Sequence, residues 1–264
     1  GSTVPAGLDG AASLKAALDI IFAHPNVAPF VSKQLIQRLV TSNPSTAYVA
    51  RVAAVFNNYG QGVKGNLQAV IKAILLDDEA RDANNITSDT FGKLREPVVR
   101  FLNWATAFGA TSPSDAWAIG DTSDPGTKLG QSPLRSPSVF NFFRPGYVPP
   151  GSGIAQASLV APEFQLSNES SVAGYINFMQ GVISNGIGDV KADYTVYISL
   201  ADSADQLVDE LHTLLLAGQM GASNLGKLKA AIGSMPSGTP GSRANRVYAA
   251  VLLLMAAPEF LIQK

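Results

Sequence analysis

Apolar side chains recur at intervals of three and four residues over the first eighty positions, and that spacing limits the fold more than any other feature. Leu14, Ala17, Leu18 and Ile21 line one helix face. Leu35, Ile36, Leu39 and Val40 line a second, and Val49, Val52, Ala53 and Phe56 a third. Leu67, Val70, Ile71, Ile74 and Leu75 give a fourth. The breaks have local causes. Pro25 ends the first helix at His24, because a residue before proline is pushed out of the α region. Asn43-Pro44 supplies a cap ahead of a first-turn proline, and Asn66 caps the fourth helix after a loose Gly60–Gly65 link. Short links between four such helices predict two antiparallel hairpins with their stripes buried.

Further along, Pro97 opens a helix whose stripe is Val98, Phe101, Leu102, Ala105 and Phe108. Residues 109–166 then lose the periodicity and hold many of the 16 prolines and 24 glycines. A stretch this long is expected to be an ordered functional segment, with short helical turns from Ser136 to Phe142 and from Gln156 to Leu166. Phe140, Phe142, Phe143 and Tyr147 make it too apolar for a free linker, so it is expected to lie pinned to the helices. Helices return from Asn168 to Ser184, Ser203 to Ala217, Leu225 to Ile232 and Arg243 to Ala257, with Asp193–Leu200 read as a short strand or extended piece. Ala-Pro-Glu-Phe occurs at 161–164 and 257–260, where both copies are expected to close a helix. The fold predicted is all-α: an irregular multi-helix bundle of about nine helices, with a long Pro/Gly-rich segment packed across it. It is taken as one helical domain over 1–264, in which 1–7 are tag scar and linker and 110–166 the long ordered loop.

Composition removes several functions. With 46% hydrophobic and 15% charged residues, the chain is neither disordered nor a coiled coil. Its 19 basic and 20 acidic side chains argue against nucleic acid as a partner. No cysteine is present, so disulfides, thiolate nucleophiles and Cys-based zinc sites are out. The longest apolar run, Val247 to Ala257, falls far short of the ~20 residues a membrane span needs. Gly1-Ser2 looks like the scar of a cleaved tag, so the lack of a leader says nothing of targeting.

No motif specifies a reaction. There is no Gly-x-Ser-x-Gly elbow, no phosphate-cradling loop and no helical His-Glu-x-x-His, so no metal or cofactor is expected. His24 is read as a helix terminator and His212 as a surface or boundary residue. Asp121 with Asp124, and Asp189 with Asp193, suit Asx turns better than calcium. Lys33, Arg38, Arg51, Lys64 and Lys72 occur between Ile20 and Leu76 without an acidic residue, which gives the first hairpins a modest positive face. The most site-like group is Arg95, Glu96 and Arg100 together with Arg135, Phe140, Phe143, Arg144 and Tyr147. It is either a ligand site, with rings and guanidinia stacking on sugars or planar groups, or a plug whose rings fill the core while an Arg–Glu cluster ties it down.

His24-Pro25-Asn26-Val27, the run Gln34 to Pro44, Tyr48 to Val52, Ala73 to Arg81, Lys93-Leu94-Arg95-Glu96-Pro97, Ser136 to Phe143 and the closing Pro258-Glu259-Phe260 together resemble the bacterial domain-of-unknown-function family 1800. Asp78 stands where that family's pattern has proline. The resemblance implies the C-terminal half of a large exported protein, periplasmic or secreted, whose missing N-terminal half is a partner. It supplies no catalytic residue. Two functions follow as expectations: a non-catalytic binding or scaffold module for a glycan or an exported partner protein, or half of a hydrolase of polysaccharide or sulfated material with Glu96 or Glu163 as acid or base. A binding module should leave Phe140, Phe143 or Tyr147 partly exposed beside the arginines. An enzyme should turn a desolvated carboxylate into a deep cleft.

Overall fold

A computed structural model describes residues 1–264. The architecture is all-α: thirteen α-helices, nine of them of ten residues or more, and one minimal sheet. Contacts divide the chain into two units, residues 1–92 with Lys264, and residues 93–263.

The first unit holds α1 (Gly10–Ala23), α2 (Val27–Leu39), α3 (Thr46–Asn57), α4 (Leu67–Leu76) and the single turn α5 (Asp78–Arg81). Ile36, Tyr48, Val52, Phe56, Val70 and Ile74 form its core, so the second and third predicted stripes face inward, while the fourth buries only Val70 and Ile74 and leaves Leu67, Ile71 and Leu75 exposed. Tyr48 is tolerated there because its hydroxyl donates to the Ile74 carbonyl at 2.6 Å. The first stripe behaves otherwise. α1 has no buried residue, and Leu14, Leu18 and Ile21 are all more than half exposed. Its anchor is Phe22, whose ring lies 6.0 Å from that of Phe56 and against Gly65, where a Cβ would stand 2.7 Å from the ring. Asn66 caps α4 as expected, but Ser45, rather than Asn43, caps α3 by accepting from Tyr48 N–H. The basic face is neutralised at Arg51, which makes a two-pronged bond with Asp77 at 2.8 and 2.6 Å, while Lys64 keeps its charge and donates to the Phe22 carbonyl.

The second unit begins with β1 (Lys93–Leu94), which pairs antiparallel with β2 (Ile262–Gln263), Leu94 opposite Ile262. Then come α6 (Pro97–Ala107), the strip, α7 (Gly153–Gln156), a 3-10 turn at Pro162–Leu166 and α8 (Glu169–Asn185). The remaining helices are α9 (Thr195–Leu200), α10 (Ala204–Leu216), α11 (Ala222–Gly233), α12 (Pro240–Ala256) and α13 (Pro258–Leu261). α12 packs against α8, α10 and α11 and is buried along Val247, Ala250, Val251, Leu254 and Met255. Trp104, Met179, Leu207 and Leu211 complete the core, and the Trp104 indole donates to the Tyr194 hydroxyl at 2.6 Å.

Between α6 and α7 the strip has no helix, and the stretch from Ser136 to Phe142 makes a single turn, closed by Asn141 N–H on the Ser138 carbonyl at 3.1 Å. Its attachments are discrete. Thr111 bridges Lys191 through bonds of 2.9 and 3.0 Å and Leu129 enters the unit's core, while Thr122 Oγ1 braces the strip from within by donating to the Gln131 carbonyl at 2.5 Å. Gly174 of α8 touches the strip backbone so closely that a Cβ would stand 2.4 Å from the Pro125 carbonyl oxygen.

Three expectations are corrected here. Residues 195–200 are helical, not a strand: Tyr194 and Ile198 are four apart, so their alternation also fits one helix face, and Asp193 accepts from Thr195 N–H to start it. His212 is buried, because its Nε2 accepts from Met220 N–H at 2.9 Å across the left-handed turn at Ala217. The two Ala-Pro-Glu-Phe copies share a turn, with N–H of Phe164 and Phe260 bonded to Ala161 and Ala257 at 3.1 and 3.0 Å. Both open a short helical segment with proline at its start, and only the second also closes a helix.

Candidate functional site

The eight residues singled out from the sequence fall into two groups. The first sits where β1 runs into α6. Glu96 is the residue ahead of the helix and Pro97 its first, as the fixed φ of proline favours. Arg95 N–H donates to the Leu261 carbonyl at 2.7 Å, and its guanidinium lies 4.7 Å from the centre of the Phe260 ring. Arg100 is buried one turn into α6. Its Nε donates to the Arg95 carbonyl at 2.6 Å, and its guanidinium lies 4.9 Å from the centre of the Tyr175 ring. Burial pulls both arginines below the ordinary guanidinium range.

The expected Arg–Glu cluster does not form. Glu96 precedes α6 in an extended conformation and accepts from the Gln131 amide at 2.8 Å. Gln131 in turn accepts from Val98 N–H at 3.3 Å. Glu96 therefore fastens the strip, and neither Arg95 nor Arg100 pairs with a carboxylate.

The second group lies along the strip itself. Arg135 pairs with Asp121 at 3.0 Å, both on the surface. Phe140 is 57% exposed, and the Arg144 guanidinium stands 5.9 Å from its ring centre. Arg144 is held from behind, where its N–H donates to Gln165 Oε1 at 2.9 Å. Tyr147 is half-buried and accepts from Ala161 N–H through its carbonyl at 2.9 Å. Phe143 is 2% exposed. In the same stretch, Leu134 and Val139 are almost fully exposed, and Leu134 holds a φ of +60°, a left-handed conformation costly for a side chain with a Cβ. The rings of the strip are thus divided, Phe140 open to water and Phe143 buried.

Glu163 is buried, with Lys93 Nζ 3.2 Å from its Oε1. The two imidazoles have local roles: His212 accepts from Met220 N–H, and His24 ends α1, where its Nδ1 accepts from Asn26 N–H. The aspartates make local turns. Ser123 holds Asp121 and Thr127 holds Asp124 below the usual carboxylate range, and Thr195 does the same for Asp193. No group of three or more acidic or imidazole side chains converges to hold a metal ion. Tyr175 and Lys93 escaped the sequence reading. A tyrosine on the buried stripe of a helix, and a lysine in a strand of two residues, give no local signal.

An all-α protein with a long ordered strip and an arginine-aromatic edge is the class these features define. The model of the family described as protein of unknown function, DUF1800, matches residues 1–262, and the chain belongs to that family. No curated protein and no solved structure matches it.

Proposed function

We propose that the chain is a non-catalytic binding or scaffold module of an exported bacterial protein, and that its ligand, a glycan, meets the edge formed by Phe140 and Arg144. The observation behind this reading is the half-exposed Phe140 ring with an arginine free of any carboxylate beside it, on a segment stiffened by Pro133, Pro137 and Pro145. A ring and a guanidinium held together offer a flat apolar face and hydrogen-bond donors, which is the chemistry a sugar ring stacks on. The left-handed Leu134 supports the same reading, because strained backbone collects where a surface is shaped for use. The absence of cysteine suits export. An exported partner protein is the second ligand class, favoured by the bare aliphatic side chains of Leu134 and Val139.

The hydrolase alternative gains nothing from its carboxylates, since Glu163 is paired with Lys93 and Glu96 with Gln131. The test is a glycan and polyanion screen of the wild type against Phe140→Ala and the double variant Leu134→Ser/Val139→Ser. The glycan reading expects binding that Phe140→Ala weakens by tenfold or more, on the order of one stacking contact, while the double variant keeps it. No binding to any glycan by the wild type, or binding indifferent to Phe140, overturns it.

A further inference from the structure

The second unit has a half-open cavity of about 330 Å³ among β1, the start of α6, the 162–166 turn, α8 and α13. Its wall is mostly hydrocarbon, from Leu94, Phe164, Leu166, Ile176 and Leu261, and its two strongest polar groups are Arg100 and Tyr175. Arg100 is 6% exposed and Tyr175 3%. A guanidinium cannot shed its proton to escape burial, so it stays a cation. Of its five N–H donors, Nε is taken by the Arg95 carbonyl, and no carboxylate of the chain neutralises the charge. The Tyr175 hydroxyl is buried beside it, within reach of the guanidinium, and its own proton has no acceptor in the chain. Such groups ordinarily find partners when they are buried. Two donors converging at the polar end of an apolar hole form a receptor for an anion with a hydrocarbon body.

We propose that this cavity binds a small apolar carboxylic acid as its carboxylate, held by Arg100 and Tyr175, with its chain among Phe164, Leu166, Ile176 and Leu261. Carboxylate suits the planar fork of a guanidinium and leaves an oxygen for the tyrosine. At about 30 Å³ for each water-sized group, the volume admits roughly ten heavy atoms, the size of a medium-chain fatty acid. The proposal stands apart from the strip and its glycan, and either can fail without the other.

The experiment is calorimetric titration and thermal unfolding of the full chain with decanoate, kept below its micelle concentration, against decanol and decylammonium as matched probes. Decanoate should bind and raise the melting temperature in proportion to its occupancy. Decanol should bind at least tenfold more weakly, as expected when a charge-assisted bond is lost, and decylammonium should not bind. Tyr175→Phe, which keeps the packing, should weaken decanoate several-fold. Arg100→Met should abolish the decanoate effect while leaving the free protein at least as stable, because it removes an unneutralised buried charge. Equal affinity for decanol, no response to decanoate, or an undiminished response in Arg100→Met overturns the proposal. Should Arg100→Met not fold, Tyr175→Phe and the decanol comparison decide it by themselves.

Discussion

Glu163 and Lys93 show what a single buried charge asks of its surroundings. Each is almost wholly out of water, 3.2 Å from the other. Glu163→Leu therefore leaves an ammonium without its carboxylate, and denaturant unfolding should register a loss of about 3–5 kcal/mol. The double variant Glu163→Leu/Lys93→Met should recover most of it. If Glu163→Leu alone proves neutral, the pair is not the tie described here. Asp189 behaves differently because its partners are neutral donors. Ser114 Oγ and N–H and Ser112 Oγ all bond its Oδ2, the hydroxyl of Ser114 foremost, and hold its pKa down at about 2. With the folded value below the ordinary ~3.9, the stabilisation is complete above that pH and lost as pH falls through about 2. Asp189→Asn should therefore be less stable than wild type at pH 7, with most of that deficit gone at pH 2, read as the midpoint of urea unfolding. A deficit of the same size at both pH values would contradict that origin.

At the level of elements, the helices were legible because one face of each carries its own 3–4 pattern, and the caps at Asn66 and Asn168 follow from side chains that accept an orphan N–H. Burial of a pattern was less legible. The stripe of α1 has the same spacing as those of α2 and α3 yet lies exposed, since periodicity states which face is apolar and not what covers it. His212 was missed for the converse reason: a polar residue in an apolar row is buried only because a turn eight residues on delivers an N–H to it. The capping box of Thr239 with Ser242 at the start of α12 predicts that Thr239→Ala costs about 1 kcal/mol in thermal unfolding, and no change would remove the cap from the account. Gly174 is the sharper probe, for nothing in the sequence of α8 marks it. Gly174→Ala should push the Pro125–Gly126 backbone away and lose about 1–3 kcal/mol or more, whereas Gly181→Ala on the same helix, where a Cβ meets nothing, should be neutral or stabilising.

For the whole molecule, each unit has a hydrophobic cluster of its own, one built on Ile36, Val52 and Ile74 and the other on Trp104, Met179 and Leu254. A single domain over 1–264 predicts one calorimetric transition for the full chain, and two separate transitions would replace it with independently folding units. The site was readable from sequence only as a cluster of residue types. Arginines and aromatics close together in the chain announced a surface or a plug, but the division of labour between Phe140 and Phe143 depends on attachments many residues away, at Gln165 and Ala161. That division is also the claim on which the binding reading rests: a strip anchored at intervals with one open edge.

Residue-resolved hydrogen exchange measures it most directly. The bonded amides of Thr111, Leu129 and Ala161 should remain protected far longer than those of Leu134 and Val139. Exchange at the unfolded rate across all of residues 110–150 would mean that the strip is not fastened at all, and the edge built on it would go with it.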